Sequence, residues 1–267
     1  MFIAGHDFAQ ARVFIETLAF ALPRIMALLA ILPLFDSQLL PALVRYGVGA
    51  ALALVVVPML TPHYAALNLS AIDVVLVVVK EAFIGLTMGF LAAMPFWIFE
   101  AVGFVVDNQR GAGLGATINP ATGDDSSPLG ILFNQAFMVF FLVGGGFTLM
   151  LDMLYESFRL WSPWEWWPTL RGESVPLMLD QLSRFARLVL LFAAPAIVAM
   201  FLAELGLALV SRFAPQLQVF FLAMPIKSAL ALLVLVLYMS TLFGYAGDTV
   251  RALGAILPFL DGQWRSP

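Results

Sequence analysis

The sequence of 267 residues contains no cysteine and only two histidines, and charged residues make up just 11% of it. The absence of cysteine excludes disulfides, thiolate metal sites and cysteine nucleophiles. The thirteen lysines and arginines form no basic tract, so we expect no nucleic-acid partner. Soluble domains have about 25% charged residues. With 62% hydrophobic residues and a mean hydropathy of +0.98, this composition instead predicts a membrane protein.

Long apolar stretches organise the chain. A helix needs about 20 mostly apolar residues to cross a bilayer. Residues 46–72, 82–99, 126–151 and 228–247 carry no formal charge, whereas 13–35 and 188–221 are interrupted by charges and prolines. We therefore predict an all-α integral membrane protein with one membrane domain spanning 1–267. Its apolar segments are expected at about 13–35, 46–72, 74–99, 126–151, 188–211 and 219–247. The N-terminus has no lysine or arginine before Arg12, so we expect the first segment to be retained.

Two polar stretches are predicted to be loops. Residues 161–180 are rich in tryptophan and proline, which is typical of a membrane–water boundary. In residues 107–125, Gly111, Gly113 and Gly115 alternate with small residues. Because glycine permits positive φ and has no side chain to pack, this stretch is predicted to be a compact, deformable loop. It lacks the Gly-x-x-x-x-Gly-Lys-Ser/Thr pattern of a phosphate cradle, so we do not expect nucleotide binding.

Several charges lie inside the apolar segments, where each costs at least about 2.5–3.5 kcal/mol unless it faces protein or water. Lys80 and Glu81 interrupt an otherwise apolar run, and Gly85 and Gly89 follow Glu81 at helical spacing, with Glu100 beyond them. Two interpretations remain open. The glycines indicate close helix packing, or Glu81 or Glu100 lines a hydrated path.

A broken helix pair is predicted around residues 204–228. Pro215 should end the preceding helix near Arg212 or Phe213, with a hairpin turn after it. That turn is either a surface loop, with Arg212 and Lys227 reaching the interface, or part of a lumen. Together with the charges above, the candidates for buried, lumen or interface polar residues are Lys80, Glu81, Glu100, Glu204, Arg212, Gln216 and Lys227.

Catalytic patterns are nearly absent. His6 and His63 form no His-Glu-x-x-His motif, and no Gly-x-Ser-x-Gly elbow occurs. The aspartates that an intramembrane protease would need fall at segment ends: Asp73, Asp107, Asp152 and Asp248. We expect no enzyme activity, no metal and no cofactor. An intramembrane hydrolase ranks last because no nucleophile can be named.

An ion- or proton-coupled secondary transporter is the alternative from another class. In that case Glu81, Glu204 and Lys227 would form a relay within the membrane, and this chain alone would carry small-molecule flux.

Nine short motifs, taken in their order, resemble the T subunit of the bacterial type III secretion export apparatus and its flagellar counterpart. The resemblance covers residues 22–257, and its strongest blocks, 107–120 and 211–228, are closer to the virulence branch than to the flagellar one. Gln218 departs from that branch, which often has asparagine there, but it keeps an amide. The motifs are Pro23-Arg24, Val44-Arg45, Lys80-Glu81 with Gly85 and Gly89, DNQRG at 107–111, Asn119-Pro120, Ser126-Ser127, SRFAPQ at 211–216, VFF at 219–221 and MPIKS at 224–228.

The resemblance implies an architecture and a set of partners. The T subunit joins the R and S subunits in a hetero-oligomer that forms the entrance of the secretion channel in the bacterial inner membrane. Its helical hairpins contain broken helices and stack in a right-handed spiral, partly raised into the periplasm. Further expected partners are other export-gate and switch components, unfolded secreted proteins and the lipid bilayer.

The resemblance also implies a function for the glycine-rich loop, which forms a plug across the pore in related proteins. We therefore expect a gated conduit for unfolded proteins, driven by other export components. Asp107 and Arg110 would anchor the loop, and Leu114 and Ile118 would supply its apolar contacts. The predicted plug residues are Asp107, Arg110, Gly111, Gly113, Leu114, Gly115, Ile118, Asn119 and Pro120.

Overall fold

The described part of the chain is all-α, as predicted. A computed structural model describes residues 2–37, 39–64, 70–112, 127–165, 174–214 and 219–258, and these contain no β-strand. The helices are α1 (Phe2–Ile31), α2 (Ala42–Tyr64), α3 (Ala71–Arg110), α4 (Pro128–Val143), α5 (Gly146–Leu160), α6 (Ser174–Phe213) and α7 (Val219–Ala252). Short 3-10 turns occupy Pro33–Phe35 and Leu253–Ala255.

Most of these helices are long and apolar enough to cross a membrane. Five candidate spans are Gln10–Ile31, Ala42–Pro62, Ala71–Arg110, Leu179–Phe213 and Phe221–Pro258, and the pair of α4 and α5, bent by 71°, is either a broken sixth span or a re-entrant loop. Each exceeds the roughly 20 residues that the hydrocarbon layer requires. The predicted all-α integral membrane protein is therefore confirmed for the described residues.

The helix ends differ from the predicted segments in several places. Residues 107–110, expected in the glycine-rich loop, form the last turn of α3, because no breaker precedes Gly111. Gly111 then adopts φ +82°, the left-handed conformation that commonly ends a helix. The predicted segment 126–151 is broken where Gly145 takes φ +79°, and α6 already begins at Ser174, inside the predicted loop 161–180.

Two other ends follow from local chemistry. The start of α3 has a reciprocal cap, since Asp73 Oδ2 accepts from the Ser70 backbone N–H at 3.0 Å and Ser70 Oγ accepts from the Asp73 N–H at 3.3 Å. This cap separates α2 from α3 within the predicted segment 46–72. At the other end of the chain, α6 stops at Phe213, as the position of Pro215 predicted.

The chain divides into two compact units. Unit 1 comprises Met1–Ala93, Gly145–Ser174 and Arg251–Pro267, and unit 2 comprises Met94–Gly144 and Val175–Val250. Helix α3 contributes its first half to unit 1 and its second half to unit 2. In unit 1, α1 packs closely on α2 and on α3, with Ile25, Leu28 and Ile84 fully buried.

Phenylalanines from four helices form the core of unit 2. Phe137 of α4 stacks on Phe99 of α3 with ring centroids 4.6 Å apart, and meets Phe96 edge-on at 4.8 Å. Phe99 also lies 5.9 Å from Phe192 of α6 and 6.4 Å from Phe243 of α7. Such pairs contribute about 0.5–1.5 kcal/mol each beyond the burial of their area. The end of α3 that precedes the glycine-rich segment is therefore held in a packed aromatic core.

Candidate functional site

A single carboxylate connects the two ends of the glycine-rich segment in unit 2. Asp107, on the last turn of α3, is 3% exposed. Its Oδ1 accepts hydrogen bonds from Arg110 Nε at 2.7 Å and forms an ion pair with Arg110 Nη2, also at 2.7 Å. Its Oδ2 accepts from Ser127 Oγ at 2.7 Å and from the Leu129 N–H at 2.9 Å. We call this arrangement the Asp107 clamp.

The start of α4 supplies the other partners of Asp107 in the clamp. Ser127 is the N-cap residue, and its Oγ accepts from the Gly130 N–H at 2.9 Å while donating to Asp107. Asp107 Oδ2 in turn accepts a hydrogen bond from the Leu129 N–H. This N–H is one of the first backbone donors of α4, which have no acceptor within the helix. The negative carboxylate is also favoured by the positive end of the α4 dipole. The clamp therefore supplies a hydrogen-bond acceptor to the N-terminus of α4 and also holds this helix in place.

Two glycines let α3 and α4 approach backbone to backbone beneath the clamp. A Cβ on Gly103 would collide with the backbone of Leu129 and Gly130. A Cβ on Gly130 would lie 3.1 Å from the carbonyl oxygen of Glu100. Larger residues at either position would push the two helices apart, so both glycines support the geometry that Asp107 closes.

Gly111 marks where the helix ends and the segment begins. Its N–H donates to the Asn108 carbonyl oxygen at 3.1 Å, and its positive φ is one that other residues rarely adopt. Met224 of α7 lies beside it, with its Cγ 3.7 Å from the position that a Cβ would take. The other predicted plug residues fall outside the described part of the chain: Gly113, Leu114, Gly115, Ile118, Asn119 and Pro120.

A second charge cluster lies in unit 1 and includes two predicted site residues. Glu81 is fully buried and accepts from Arg24 Nε at 2.7 Å and Nη2 at 3.0 Å. Arg24 is also fully buried, and it donates to the carbonyl oxygens of Ser157 and Trp161 at 2.7 Å each. Its guanidinium lies 4.2 Å from the ring centroid of Phe158. The planar guanidinium thereby joins α1, α3 and the end of α5.

Lys80 completes this cluster. Its Nζ lies 3.3 Å from Glu81 Oε1 and donates to the carbonyl oxygens of Ser162, Pro163 and Glu165 at 3.2, 2.7 and 2.7 Å. Three carbonyl oxygens match the three donors of an ammonium group. Lys80 therefore fixes the turn after α5, which begins the predicted tryptophan-rich loop.

Gly85 and Gly89 lie next to this cluster, where α3 crosses α1. A Cβ on Gly85 would collide with the carbonyl oxygen of Arg24 and lie 2.9 Å from Ala27 Cβ. A Cβ on Gly89 would come within 3.0 Å of the Leu28 carbonyl oxygen. This close approach brings the Arg24 backbone to α3, so that its side chain can reach Glu81.

Three of the remaining polar candidates, Glu100, Glu204 and Arg212, are exposed in unit 2. Glu100 is exposed and accepts from Asn134 Nδ2 at 2.7 Å. Lys227 Nζ donates to Glu204 Oε2 at 3.2 Å, with the Glu204 side chain 52% exposed. Arg212, at the end of α6, is exposed, and Gln216 lies outside the described residues. These contacts provide no specific support for the relay, since Glu81 is bound to Arg24 and Lys80 in unit 1.

Sequence reasoning did not name Arg24, Ser127 or Ser157 as site residues. Arg24 carried a signal, because an arginine directly after a proline within an apolar segment must be paired or reach water. Its partners, however, are 57 and 133 positions away in the sequence. Among the described residues, no group of three or more histidines, aspartates or glutamates could hold a metal ion.

These features define the protein's class: a multi-pass helical membrane protein with a carboxylate-clamped glycine-rich segment and a buried charge cluster. Residues 15–253 match the family described as bacterial export proteins, family 1, and the chain belongs to that family.

Similar proteins come from several type III export systems. The chain is 42% identical to Yop proteins translocation protein T of Yersinia pestis over 250 residues, which cover 92% of this chain and 95% of that protein. It is 33% identical to surface presentation of antigens protein SpaR of Salmonella typhimurium, over 85% of this chain and 84% of SpaR. It is 30% identical to flagellar biosynthetic protein FliR of Bacillus subtilis, over 82% and 85%. The predicted membership in this export family is thus confirmed, as is the location in the bacterial inner membrane.

Proposed function

We propose that this chain is a core component of the type III export gate and that residues 111–119, in the glycine-rich segment between α3 and α4, close the channel entrance until an unfolded substrate displaces them. It would act together with the R and S subunits, and the driving force would come from other export components. The observation that carries the proposal is the Asp107 clamp, because one buried carboxylate binds both ends of this segment. Membership in the export family supports it further.

In this proposal the clamp holds Arg110 and Ser127 in place, so α3 and α4 would stay packed while a substrate displaces the residues between them. A glycine-rich stretch loses few side-chain contacts when it is displaced. A gate of this kind can yield to a polypeptide and then return to the same two anchor points.

The clamp also explains why the gate should be tight at rest. The Asp107 interactions with Arg110 and with the α4 N-terminus are charge-assisted, and such hydrogen bonds contribute about 1.5–3 kcal/mol each. Burial of Asp107 protects them from competition by water. Arg110 and Ser127 are therefore held in one arrangement at the two ends of the proposed gate.

Ion leak through the assembled complex tests the proposal. Asp107→Asn keeps the size of the side chain but removes the charge, and an amide offers one acceptor oxygen instead of two. A loss of about 1.5–3 kcal/mol should raise the population of unclamped segment by roughly 10–150-fold. We expect conductance of reconstituted complexes to rise accordingly, and deletion of residues 111–115 to raise it further.

Glu156→Gln is the matched control. Glu156 is an exposed carboxylate paired with Arg159 at 2.7 Å, so the same change of acid to amide should leave conductance unchanged. Complexes with Asp107→Asn, or with the deletion, that assemble normally and conduct no more than wild type would contradict the gate assignment.

A further inference from the structure

An open pocket of about 420 Å³ lies in unit 1, between α5 and the residues that follow α7. Pockets that bind small ligands have volumes of about 300–1,000 Å³. The floor of this pocket is apolar, since Met153, Leu253 and Leu257 are all buried. Only two of the described residues that line it are charged, Asp152 and Glu156, and both belong to α5. The pocket therefore combines an apolar floor with a negative wall.

The two carboxylates differ in what they already bind. They lie one turn apart on the same face of α5. Glu156 accepts from Arg159 Nη1 at 2.7 Å, so a cation of the chain already balances its charge. Asp152 is exposed and makes no hydrogen bond or ion pair with any residue in the described part of the chain. A carboxylate within an apolar segment is costly unless it meets a cation or water, so this wall favours a cationic group.

Gly254 keeps the pocket open on the wall that follows α7. It is exposed, and a Cβ at this position would meet nothing within 4 Å. No described contact of this chain therefore requires glycine there, although glycine is less favourable than alanine in a helical backbone. The missing side chain leaves this wall of the pocket accessible to a ligand.

Two features indicate that the pocket lies near the lipid headgroups of the inner membrane. The candidate span Phe221–Pro258 ends at Pro258, which lines the pocket. On the other side, Leu160 lines the pocket and is followed by Trp161, and tryptophan is typical of the membrane–water boundary. Headgroups occupy the layer just outside the hydrocarbon core. A ligand that enters this pocket from the bilayer therefore carries a charged headgroup next to an acyl chain.

We infer that this pocket binds a phospholipid with an ammonium headgroup, namely phosphatidylethanolamine. The ammonium donates to Asp152, and the first methylenes of an acyl chain pack on Met153 and Leu257. Phosphatidylglycerol has a negative phosphate and no ammonium, so Asp152 repels it. We call this site the α5 lipid pocket. The inference rests on the location in the inner membrane and does not depend on the proposed gate.

Competition between two lipids tests the α5 lipid pocket in the detergent-purified full chain. With equal amounts of phosphatidylethanolamine and phosphatidylglycerol added, native mass spectrometry should show about tenfold more of the ethanolamine lipid bound, as expected for one charge-assisted hydrogen bond. Asp152→Asn should abolish this preference, whereas Glu156→Gln, whose charge Arg159 already balances, should keep it within about twofold. Equal binding of both lipids to wild type, or an unchanged preference in Asp152→Asn, would overturn the inference.

Filling the pocket provides a second variant. Gly254→Leu places a side chain into open space, so the melting temperature should stay near that of wild type while bound phosphatidylethanolamine falls about tenfold. Gly47→Leu is the control, because Gly47 is also exposed, has nothing within 4 Å of a Cβ and lies outside the pocket. Full lipid binding by Gly254→Leu would show that the lipid binds elsewhere and would overturn the inference. If Gly254→Leu melts lower, Asp152→Asn decides alone, because it changes only an exposed side chain.

Discussion

Replacing Glu81 with glutamine should destabilise unit 1 more than any other conservative change in its charge cluster. Glu81 is the only acid that touches both buried cations, Arg24 and Lys80, among the described residues. Counting Arg24 and Lys80 as +1 each and Glu81 as −1 gives the cluster a net charge of +1. The substitution raises it to +2 while both cations remain at most 3% exposed.

The expected magnitude follows from that imbalance. Removing one partner of a buried ion pair costs about 3–5 kcal/mol, because the remaining charge has lost its compensation. Lys80→Gln should cost less, about 1–3 kcal/mol, since it leaves the Arg24–Glu81 pair intact and removes only the longer 3.3 Å contact with Glu81 and the donors to the carbonyl oxygens after α5. At roughly 2–4 °C per kcal/mol, Glu81→Gln should lower the melting temperature by about 6–20 °C.

Thermal unfolding of the detergent-purified chain measures this ranking. Trp161 and Trp164 lie beside the cluster, so intrinsic tryptophan fluorescence should report its loss. Glu156→Gln is the control, because exposed ion pairs contribute only about 0–1 kcal/mol. The reasoning is refuted if Glu81→Gln melts within about 2 °C of wild type, or if Lys80→Gln melts below it.

Two further predictions concern packing, and the same melting assay checks both. Gly85→Ala should lower the melting temperature, because its Cβ would collide with the Arg24 carbonyl oxygen. The control Gly47→Ala should raise the melting temperature slightly, since a Cβ there meets nothing within 4 Å. Equal shifts of the melting temperature in the two variants would contradict the close α1–α3 contact. Phe137→Ala should cost about 3–5 kcal/mol by opening a cavity between the rings of Phe96 and Phe99, and a loss below about 1 kcal/mol would show that the aromatic core collapses to fill it.

Much of the helical architecture could be predicted from hydropathy, because a bilayer imposes both a length and an apolar composition. The end of α6 at Phe213 could also be predicted, since a proline two residues later restricts the backbone locally. The break between α4 and α5 was harder to predict from the sequence. Three consecutive glycines, residues 144–146, lie within an apolar run there, and whether such glycines break a helix depends on the φ that Gly145 adopts.

The candidate site was harder to predict for a different reason. Asp107 and Arg110 are three positions apart, so their pairing is local and readable from sequence. The Asp107 contacts with Ser127 and Leu129 span a segment whose path the sequence does not determine. The same holds for Arg24, whose partners come from α3 and α5 only once the helices have packed.

The charges within the apolar helices fall into two groups with different physical roles. Arg24, Lys80 and Glu81 are buried in unit 1, where each has charged partners or carbonyl oxygens of the same chain. Glu100 and Glu204 are exposed in unit 2, where each accepts one side-chain hydrogen bond. A carboxylate against acyl chains is costly, so we expect water or another subunit to cover both. Hydropathy weighs the two groups equally, although the first finds its partners within the chain and the second needs water or another subunit.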